Sequence, residues 1–270
     1  RKMNTNNSLN DVLLGNKITL RTLQKAKKEK KPFAGLTCYD ATTARWLESS
    51  GIPLLLVGDT AAEVMLGFTS TIHAPFKYML EITAAVRRGA PNTFLMADMP
   101  FNTWQGSFKQ ALKKSSKFLT DGYADAIKFE VEEKDTKRMS KLIHAGIPVV
   151  AHLGSRPQQV QIKGGYKSAG KTLKEANQLV ESALKFEDIG AIMILLEAIP
   201  AEVAERITQS VSIPVIGVGA GPYCDGQIIV LHDLLGLSSH APSFAPVRAS
   251  MGDQIHSAAQ EWEKIVKIRN

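Results

Sequence analysis

The chain has 270 residues and a formal net charge of +7, with 44% hydrophobic and 22% charged residues. These values are typical of an ordinary soluble globular protein with a large core. No apolar run approaches the roughly 20 residues that a membrane-spanning helix needs. We therefore expect no membrane segment.

Residues 1–16 are rich in Asn and lack the apolar core of a secretory signal. We expect a flexible segment there, followed by one domain at 17–270, in a cytoplasmic protein. Cys38 and Cys224 lie far apart in the sequence, which favours reduced thiols over a disulfide or a metal site. The basic stretch KAKKEKK at residues 25–31 has no interleaved aromatics, so a solvated helix face is favoured over nucleic-acid binding.

Eight short apolar runs predict β-strands, and helical patterns lie between most of them. The predicted strands are 34–38, 54–58, 94–97, 126–129, 149–152, 191–196, 215–218 and 227–230. The predicted helices are 42–51, 80–90, 107–122, 135–146, 171–190 and 201–211. Strands that alternate with helices predict an α/β protein with a parallel sheet.

Polar residues recur where the apolar runs end. They are Asp40, Asp59, Asp98, Lys128, Glu130, His152 and Glu197, and the seventh strand instead leads into the glycines of GVGAG at 217–221. Functional groups at the carboxyl ends of many strands are typical of a TIM (β/α)8 barrel. A doubly wound open sheet, the alternative, would gather them near one switch point. We predict a single-domain TIM barrel with one shared site.

Three of these residues, Asp59, Asp98 and Glu130, follow neighbouring strands. Carboxylates packed together raise one another's pKa, and a divalent cation removes that conflict. Oxygen ligands with room for water suit magnesium. Lys128 stands two residues before Glu130 and shares its face of the strand, where it can bind a substrate carboxylate or stabilise an enolate.

Glu197 ends a very apolar strand, which can raise a carboxylate pKa and produce a usable base. His152 either hydrogen-bonds substrate or is a polar residue satisfied at the barrel rim. The chemistry these residues allow is metal-assisted enolisation of a 2-oxo acid. For the GVGAG loop, phosphate binding and a need for close backbone approach both stay open.

Long segments resemble the ketopantoate hydroxymethyltransferase family, within the phosphoenolpyruvate mutase and isocitrate lyase superfamily of TIM barrels. They lie between Gly35 and Leu237 and follow the family's order. They are CYDATTARWLESSGIPLLLVGDTAAEVMLGFTST, MADMPF, IKFE, GIPVVAHLG, GGYK, LLEAIPAE and IPVIGVGAGPYCDGQIIVLHDLLGL. The last of these is especially specific.

This resemblance implies a transferase of pantothenate and coenzyme A biosynthesis. The enolate of 3-methyl-2-oxobutanoate (alpha-ketoisovalerate), bound to Mg2+, attacks the methylene group of 5,10-methylenetetrahydrofolate and yields 2-dehydropantoate and tetrahydrofolate. The implied metal ligands are Asp59, Asp98 and Glu130, the last directly or through water. Asp59, Thr60, Asp98 and Lys128 would contact substrate. Glu197 would accept the proton.

Some positions depart from the family pattern. Thr60 replaces the usual Ser, and Val131, Glu132 and Glu133 replace glycines. HLGSRPQ replaces HLGLTPQ, which adds Arg156 near the rim. The segment after Leu237 matches poorly, so the folate side can differ there.

The C-terminal stretch has apolar residues at helical spacing, including Ile255 and Trp262. Packing on the chain's own barrel and contact between subunits both stay open, and the resemblance implies a homo-oligomer, a decamer or octamer. Two other functions compete. A lyase of the same superfamily would carry a KKCGH-type segment, which is absent here, and a non-catalytic scaffold would have lost a ligand or the base.

Overall fold

The computed structural model describes residues 17–159, 168–238 and 241–268. They divide into two compact units, one that ends at Ile228 and one that begins at Ile229. The predicted flexible segment at 1–16 and the GGYK motif at 164–167 lie outside the described residues. Within the described parts of the chain, no helix is long and apolar enough to cross a membrane.

The first unit is built on a closed barrel of eight strands in sequence order. The strands are β1 (Phe33–Thr37), β2 (Leu54–Val57), β3 (Phe94–Asp98), β4 (Ala126–Glu130), β5 (Val149–Gly154), β6 (Met193–Glu197), β7 (Val215–Val218) and β8 (Gly226–Ile229). Consecutive strands pair in parallel from β1 to β8. This confirms the predicted α/β TIM barrel.

Helices connect the strands of this unit. They are α1 (Leu20–Lys28), α2 (Ala41–Ser49), α3 (Ala61–Val64), α4 (Phe76–Gly89), α5 (Phe108–Thr120), α6 (Thr136–His144), α7 (Leu173–Asp188) and α8 (Ala201–Ser210). Helix α4 begins at Phe76, before its predicted start at 80, and the Phe76 ring packs edge-on against Phe118 at 5.5 Å between centroids. This tertiary contact extends the helix by one turn beyond the sequence signal.

Alternate residues of the strands fill the barrel interior. Met96 of β3, Ala126 of β4, Val150 of β5 and Leu195 of β6 belong to one buried apolar cluster. Because strand side chains alternate between faces, the next residues on the same inner face are polar. They are Asp98, Lys128 with Glu130, His152 and Glu197.

Helix α1 closes the amino-terminal end of the barrel. Leu23 and Ala26 are buried in the same apolar cluster as the strand residues. Lys27 Nζ donates to Thr208 O (2.9 Å) and to Asp225 Oδ2 (2.8 Å). The predicted solvated face of this helix is therefore incomplete. Lys27 is half-buried in an ion pair, while the Lys25 side chain is 73% exposed.

Asp40 does not join the other strand-end residues in one site. Its carboxylate accepts hydrogen bonds from Thr43 N (2.8 Å) and Thr43 Oγ1 (2.6 Å), which caps the start of α2. Aspartate is favoured at this position because it satisfies helix N–H groups that lack a partner in the helix. Asp40 is thus a structural cap.

The second unit contains α9 (Leu231–Leu234) and α10 (Met251–Ile268). Arg248 N donates to Leu234 O (2.8 Å) and Met251 N donates to Leu235 O (3.0 Å), so the connection folds back beside α9. The predicted C-terminal helix is thus present. Its apolar residues are exposed, with Ile255 at 57% and Trp262 at 63%.

Candidate active site

The carboxyl ends of β3 to β6 bring the predicted polar residues together. Asp98, Glu130 and Glu197 are the last residues of their strands. The parallel register places Asp98 opposite Lys128, and Glu130 opposite His152. The alternation that buries apolar side chains lower in the barrel therefore also aims these groups at one another.

Asp59 follows β2, in the turn that leads into α3. Its backbone N–H donates to Asp98 Oδ2 (2.9 Å), and both carboxylates are buried. A Cβ on the preceding Gly58 would lie 3.5 Å from Asp98 Oδ2, so the two strand ends approach closely. Thr60 is half-buried next to Asp59, and its side chain forms no capping hydrogen bond to α3.

A chain of buried polar groups runs across the barrel from Asp98 to Glu197. Asp98 Oδ1 lies 2.6 Å from Lys128 Nζ, which lies 3.1 Å from His152 Nδ1. His152 Nε2 lies 3.3 Å from Glu197 Oε2, without the alignment of a hydrogen bond. The Glu197 side chain is 15% exposed, so it is the most accessible end of the chain.

The charge states along this chain follow from burial and from the neighbours. Burial lowers the pKa of His152 far below its ordinary value, and the ammonium of Lys128 lowers it further. Burial also lowers the pKa of Lys128, but Asp98, Asp59 and Glu130 outweigh it and raise that pKa. His152 is thus neutral beside a charged lysine, so Nδ1 accepts the lysine proton and Nε2–H faces Glu197.

Asp59 and Glu130 are harder to ionise. Burial raises the pKa of Asp59 to about 7, and the charge of Asp98 adds to the rise. Burial also raises the pKa of Glu130 well above its ordinary value, with Asp59 as the next cause. Among the described residues, these carboxyl groups therefore share the ammonium of Lys128, and negative charge is in excess there when all of them are ionised.

This donor set fits a hard divalent cation in its chemistry, since Asp59, Asp98 and Glu130 offer buried carboxylate oxygens and an excess of negative charge. No group of three or more His, Cys, Asp or Glu among the described residues is arranged to hold a metal ion. Asp59 and Asp98 are adjacent, whereas Glu130 is engaged by Gln158 N. The residues present suit a site with two direct ligands and water in the remaining positions.

Sequence comparisons identify the family of the chain. The family model for ketopantoate hydroxymethyltransferase matches residues 17–270. The chain is 44% identical over 244 residues to 3-methyl-2-oxobutanoate hydroxymethyltransferase of Thermotoga sp. (strain RQ2), covering 90% of each chain. It is 40% identical over 255 residues to that of Thermoanaerobacter sp. (strain X514), covering 93% of each. The chain belongs to the ketopantoate hydroxymethyltransferase family. It is therefore a hydroxymethyltransferase.

Solved structures with the same fold lie in the expected superfamily. 2,3-Dimethylmalate lyase, a PEP mutase/isocitrate lyase superfamily member, has a TM-score of 0.60 at 18% identity and covers 92% of this chain and 84% of its own. Phosphonopyruvate hydrolase in complex with oxalate and Mg++ has a TM-score of 0.58 at 14% identity, with coverages of 90% and 98%. These identities show a shared fold alone.

Two departures of this hydroxymethyltransferase from its family pattern contact each other. Arg156 is buried, donates to Val131 O (3.1 Å) and forms an ion pair with Glu132. Burial raises the pKa of Glu132, but the hydrogen bonds and charges of Lys134 and Arg156 together outweigh it and lower that pKa. The arginine and the glutamate therefore join the loops after β4 and β5.

Sequence reasoning missed Gln158, which lies in a short 3-10 turn, Pro157–Gln159, after β5. Its Nε2 donates to Asp59 Oδ2 (2.8 Å), and its backbone N donates to Glu130 Oε2 (3.1 Å). The available signal was the polar residue of SRPQ after a proline, close behind a strand. That signal does not show that the turn contacts the ends of β2 and β4.

Glu197 is held by unusual backbone geometry on both sides. Ala198 has φ 47°, a left-handed conformation that costs a residue with a Cβ roughly 1–2 kcal/mol. Gly154, at φ 96°, passes so close that a Cβ there would lie 2.5 Å from Glu197 O. Ser155 N then donates to the same carbonyl at 2.8 Å.

The GVGAG loop shows the close backbone approach that was one of its two open explanations. Gly219 and Gly221 have φ of 60° and 76°. A Cβ on Gly221 would lie 2.3 Å from the Cβ of Ala201, at the start of α8. These glycines therefore have a packing reason, while phosphate binding stays a prediction.

Proposed function

We propose that this hydroxymethyltransferase transfers the one-carbon group of 5,10-methylenetetrahydrofolate to 3-methyl-2-oxobutanoate, giving 2-dehydropantoate and tetrahydrofolate. The family assignment supports this reaction, which would serve pantothenate and coenzyme A biosynthesis in the cytoplasm. The observation that carries the proposal is the buried chain Asp98–Lys128–His152–Glu197 beside Asp59. It offers a fixed cation, Lys128, next to one end and a more accessible carboxylate, Glu197, at the other end.

Lys128 is the cationic group for the 2-oxo acid. Asp98 holds its ammonium at 2.6 Å, and the neutral ring of His152 accepts from it at 3.1 Å. Its raised pKa keeps it protonated through the working pH range. An oriented ammonium in a buried site stabilises negative charge on the substrate without reorganisation.

Glu197 is the base of the proposed mechanism. Its carboxylate takes the proton from C3 of the 2-oxo acid, and the electron pair of that C–H bond moves toward the carbonyl oxygen. The enolate carbon then bonds to the folate methylene carbon as the first of its two C–N bonds breaks. The second C–N bond breaks when water supplies the hydroxyl group. The proton taken by Glu197 and the remaining proton of that water end on the two folate nitrogens. His152 Nε2–H, 3.3 Å from Glu197 Oε2, orients the carboxylate electrostatically.

Asp59 and Asp98 would hold Mg2+ directly, and Glu130 would act as third ligand, directly or through water. When bound, magnesium supplies Lewis-acid stabilisation of charge on the substrate carbonyl oxygen. The buried excess of carboxylates supports this assignment. So does phosphonopyruvate hydrolase, which has the same fold and was solved with oxalate and Mg++. Thr60, beside Asp59, and His152 are the further substrate contacts that we propose.

The direct test is product formation. Purified protein is incubated with 3-methyl-2-oxobutanoate, 5,10-methylenetetrahydrofolate and Mg2+, and 2-dehydropantoate is quantified by mass spectrometry. We expect product that requires the folate and disappears with EDTA. Turnover that does not depend on folate would indicate a different enolate reaction in the same barrel. Turnover that survives EDTA would exclude a role for the metal in catalysis.

We also propose a homo-oligomer, a decamer or octamer, as the family resemblance implied. The exposed apolar residues Ile255 and Trp262 of α10 support a contact between copies. Sedimentation velocity of the full chain measures the assembly. A monomer at micromolar concentration would contradict it.

A further inference from the structure

Gln158 lies between two of the proposed metal ligands, and no role has been assigned to it. The residue is 5% exposed. Its side-chain Nε2 donates to Asp59 Oδ2 at 2.8 Å and to Met99 O at 3.1 Å. Its backbone N donates to Glu130 at 3.1 Å. One residue thus contacts both carboxylates.

The orientation of the Gln158 amide is fixed by its partners. Both groups in contact with Nε2, the carboxylate of Asp59 and the carbonyl of Met99, are acceptors. Rotating the amide by half a turn would place its oxygen against both of them and lose two hydrogen bonds. The oxygen, Oε1, is therefore the amide atom that bonds to neither Asp59 nor Met99.

Oε1 is buried and has no hydrogen-bond partner among the residues that the structure describes. A buried acceptor without a donor costs about 1–3 kcal/mol. Asp59 and Glu130 do not supply a donor to Oε1, because both carboxylates accept hydrogen bonds from N–H groups of Gln158. Among the described residues nothing supplies this donor, and a water bound at the site can supply it.

We propose that Gln158 is a positioning residue of the cation site, which orients Asp59 through Nε2 and accepts through Oε1 a hydrogen bond from a water of the hydrated cation. The inference rests on the proposed function. Magnesium keeps several of its waters when one or two carboxylates bind it, so such donors come with the ion. Outer partners of this kind orient ligands and tune affinity for the metal.

The test is metal affinity, measured without substrate. Mg2+ binding is followed by calorimetry, and Mn2+ is used as a second probe by electron paramagnetic resonance. Gln158→Met keeps the volume and the backbone N–H to Glu130 but removes the amide. We expect about a tenfold weaker Kd for both ions, the lower end of the effect of losing such a partner. Gln158→Asn, which cannot span Asp59 and Met99, should give a smaller loss.

Gln159→Met is the matched control, since it makes the same change in the same turn at a half-buried position. It should leave both Kd values within twofold of wild type. Water proton relaxation of the Mn2+ complex gives a readout that a purely structural role would not move, and it should change in Gln158→Met alone. If Gln158→Met does not fold by circular dichroism, Gln158→Asn decides.

The outcomes separate this inference from the proposed function. Unchanged Kd and relaxation in a folded Gln158 variant would overturn the role of Gln158 while leaving the metal in place. Equal losses in the Gln158 and Gln159 variants would also overturn it, because the effect would then belong to the turn. Absence of Mg2+ and Mn2+ binding by the wild-type protein would overturn both the metal site and this role.

Discussion

Asp59 is a proposed metal ligand whose raised pKa should make metal binding depend on pH. In the metal-free protein burial, together with Asp98, raises its pKa to about 7. A cation binds the ionised carboxylate, so its apparent affinity should fall as the pH is lowered through 7, by up to about tenfold per pH unit. Calorimetric titration with Mg2+ at pH 8, 7 and 6 measures this, and a flat affinity would exclude Asp59 as the titrating ligand.

The raised pKa of Asp59 also makes the stability of the metal-free fold depend on pH. Because the folded pKa of Asp59 lies above its ordinary value of 3.8, the metal-free fold binds this proton more tightly than the unfolded chain does. Its contribution to stability is greatest below the ordinary value and declines as the pH rises toward 7. Saturating Mg2+ should reduce this decline, since the ion favours the charged form.

Individual site residues were predictable where the strand pattern ended in a polar side chain. Asp98, Glu130 and Glu197 each close an apolar strand, and period 2 then fixes the face. Gln158 was not predictable, because a turn brings it to Asp59, 99 positions away in sequence. Asp40 was wrongly grouped with the site residues, because a carboxylate at the end of a strand can equally cap the next helix.

The end of β5 sets the position of Glu197 through Gly154. Gly154→Ala would place a methyl group 2.5 Å from Glu197 O, in addition to the strain of φ 96°. We expect a loss of about 3 kcal/mol in the free energy of unfolding, combining backbone strain and overpacking. Activity per folded molecule should also fall, because the strand that carries the base is displaced. Chemical denaturation and a turnover assay measure the two effects.

Gly146→Ala is the control for this change. Gly146 has φ 91°, but a Cβ there would meet nothing within 4 Å. It should cost only the strain of the left-handed backbone, roughly 1–2 kcal/mol, with turnover unchanged. Equal effects of the two substitutions would show that the contact with Glu197 does not matter.

In the loops after β4 and β5, Arg156 and Glu132 form an ion pair in which each side chain provides the partner of the other. Arg156→Thr and Glu132→Gly each introduce the residue that the resemblance to the family implies, but each alone breaks the part-buried contact. A double-mutant cycle by chemical denaturation should give a coupling of at least about 1 kcal/mol, within the range for contacting residues. The exposed pair Lys185–Glu133 should give less than about 0.5 kcal/mol. Additive effects at Arg156 and Glu132 would contradict a joint role.

At this scale the sequence predicted all eight strands and their order, since the apolar runs are separated by clear helix and turn signals. The observed helix boundaries differ from the predicted ones where a tertiary contact extends a helix, as at Phe76 of α4. The pairing of Arg156 with Glu132 was not predictable from their spacing alone. It depends on β4 and β5 being neighbours in the barrel.

For the whole barrel, the ion pair of Lys27 with Asp225 ties α1 to the amino-terminal end. Lys27→Met keeps the aliphatic stem but leaves Asp225 without its cation, although Val215 N still donates to it. We expect destabilisation of about 2 kcal/mol. Activity of the folded protein should be unchanged, because this end lies opposite the site.

Lys25→Met on the same helix is the control, since Lys25 forms an exposed pair with Glu29. Its effect on unfolding should stay within about 0.5 kcal/mol. Denaturant unfolding followed by circular dichroism compares the two variants. Similar stabilities would show that α1 is held by its apolar face, Leu23 and Ala26, rather than by the ion pair.

The central claim, that Glu197 and a bound magnesium ion enolise 3-methyl-2-oxobutanoate, is tested most directly by proton NMR in deuterated buffer. The signal of the C3 proton should disappear only with both protein and Mg2+ present, whether or not the folate is added. Glu197→Gln should retain binding of the 2-oxo acid and slow the exchange by at least about 100-fold, the minimum expected of a positioned base. Exchange at the wild-type rate in Glu197→Gln, or no exchange by the wild-type protein with Mg2+, would contradict the mechanism.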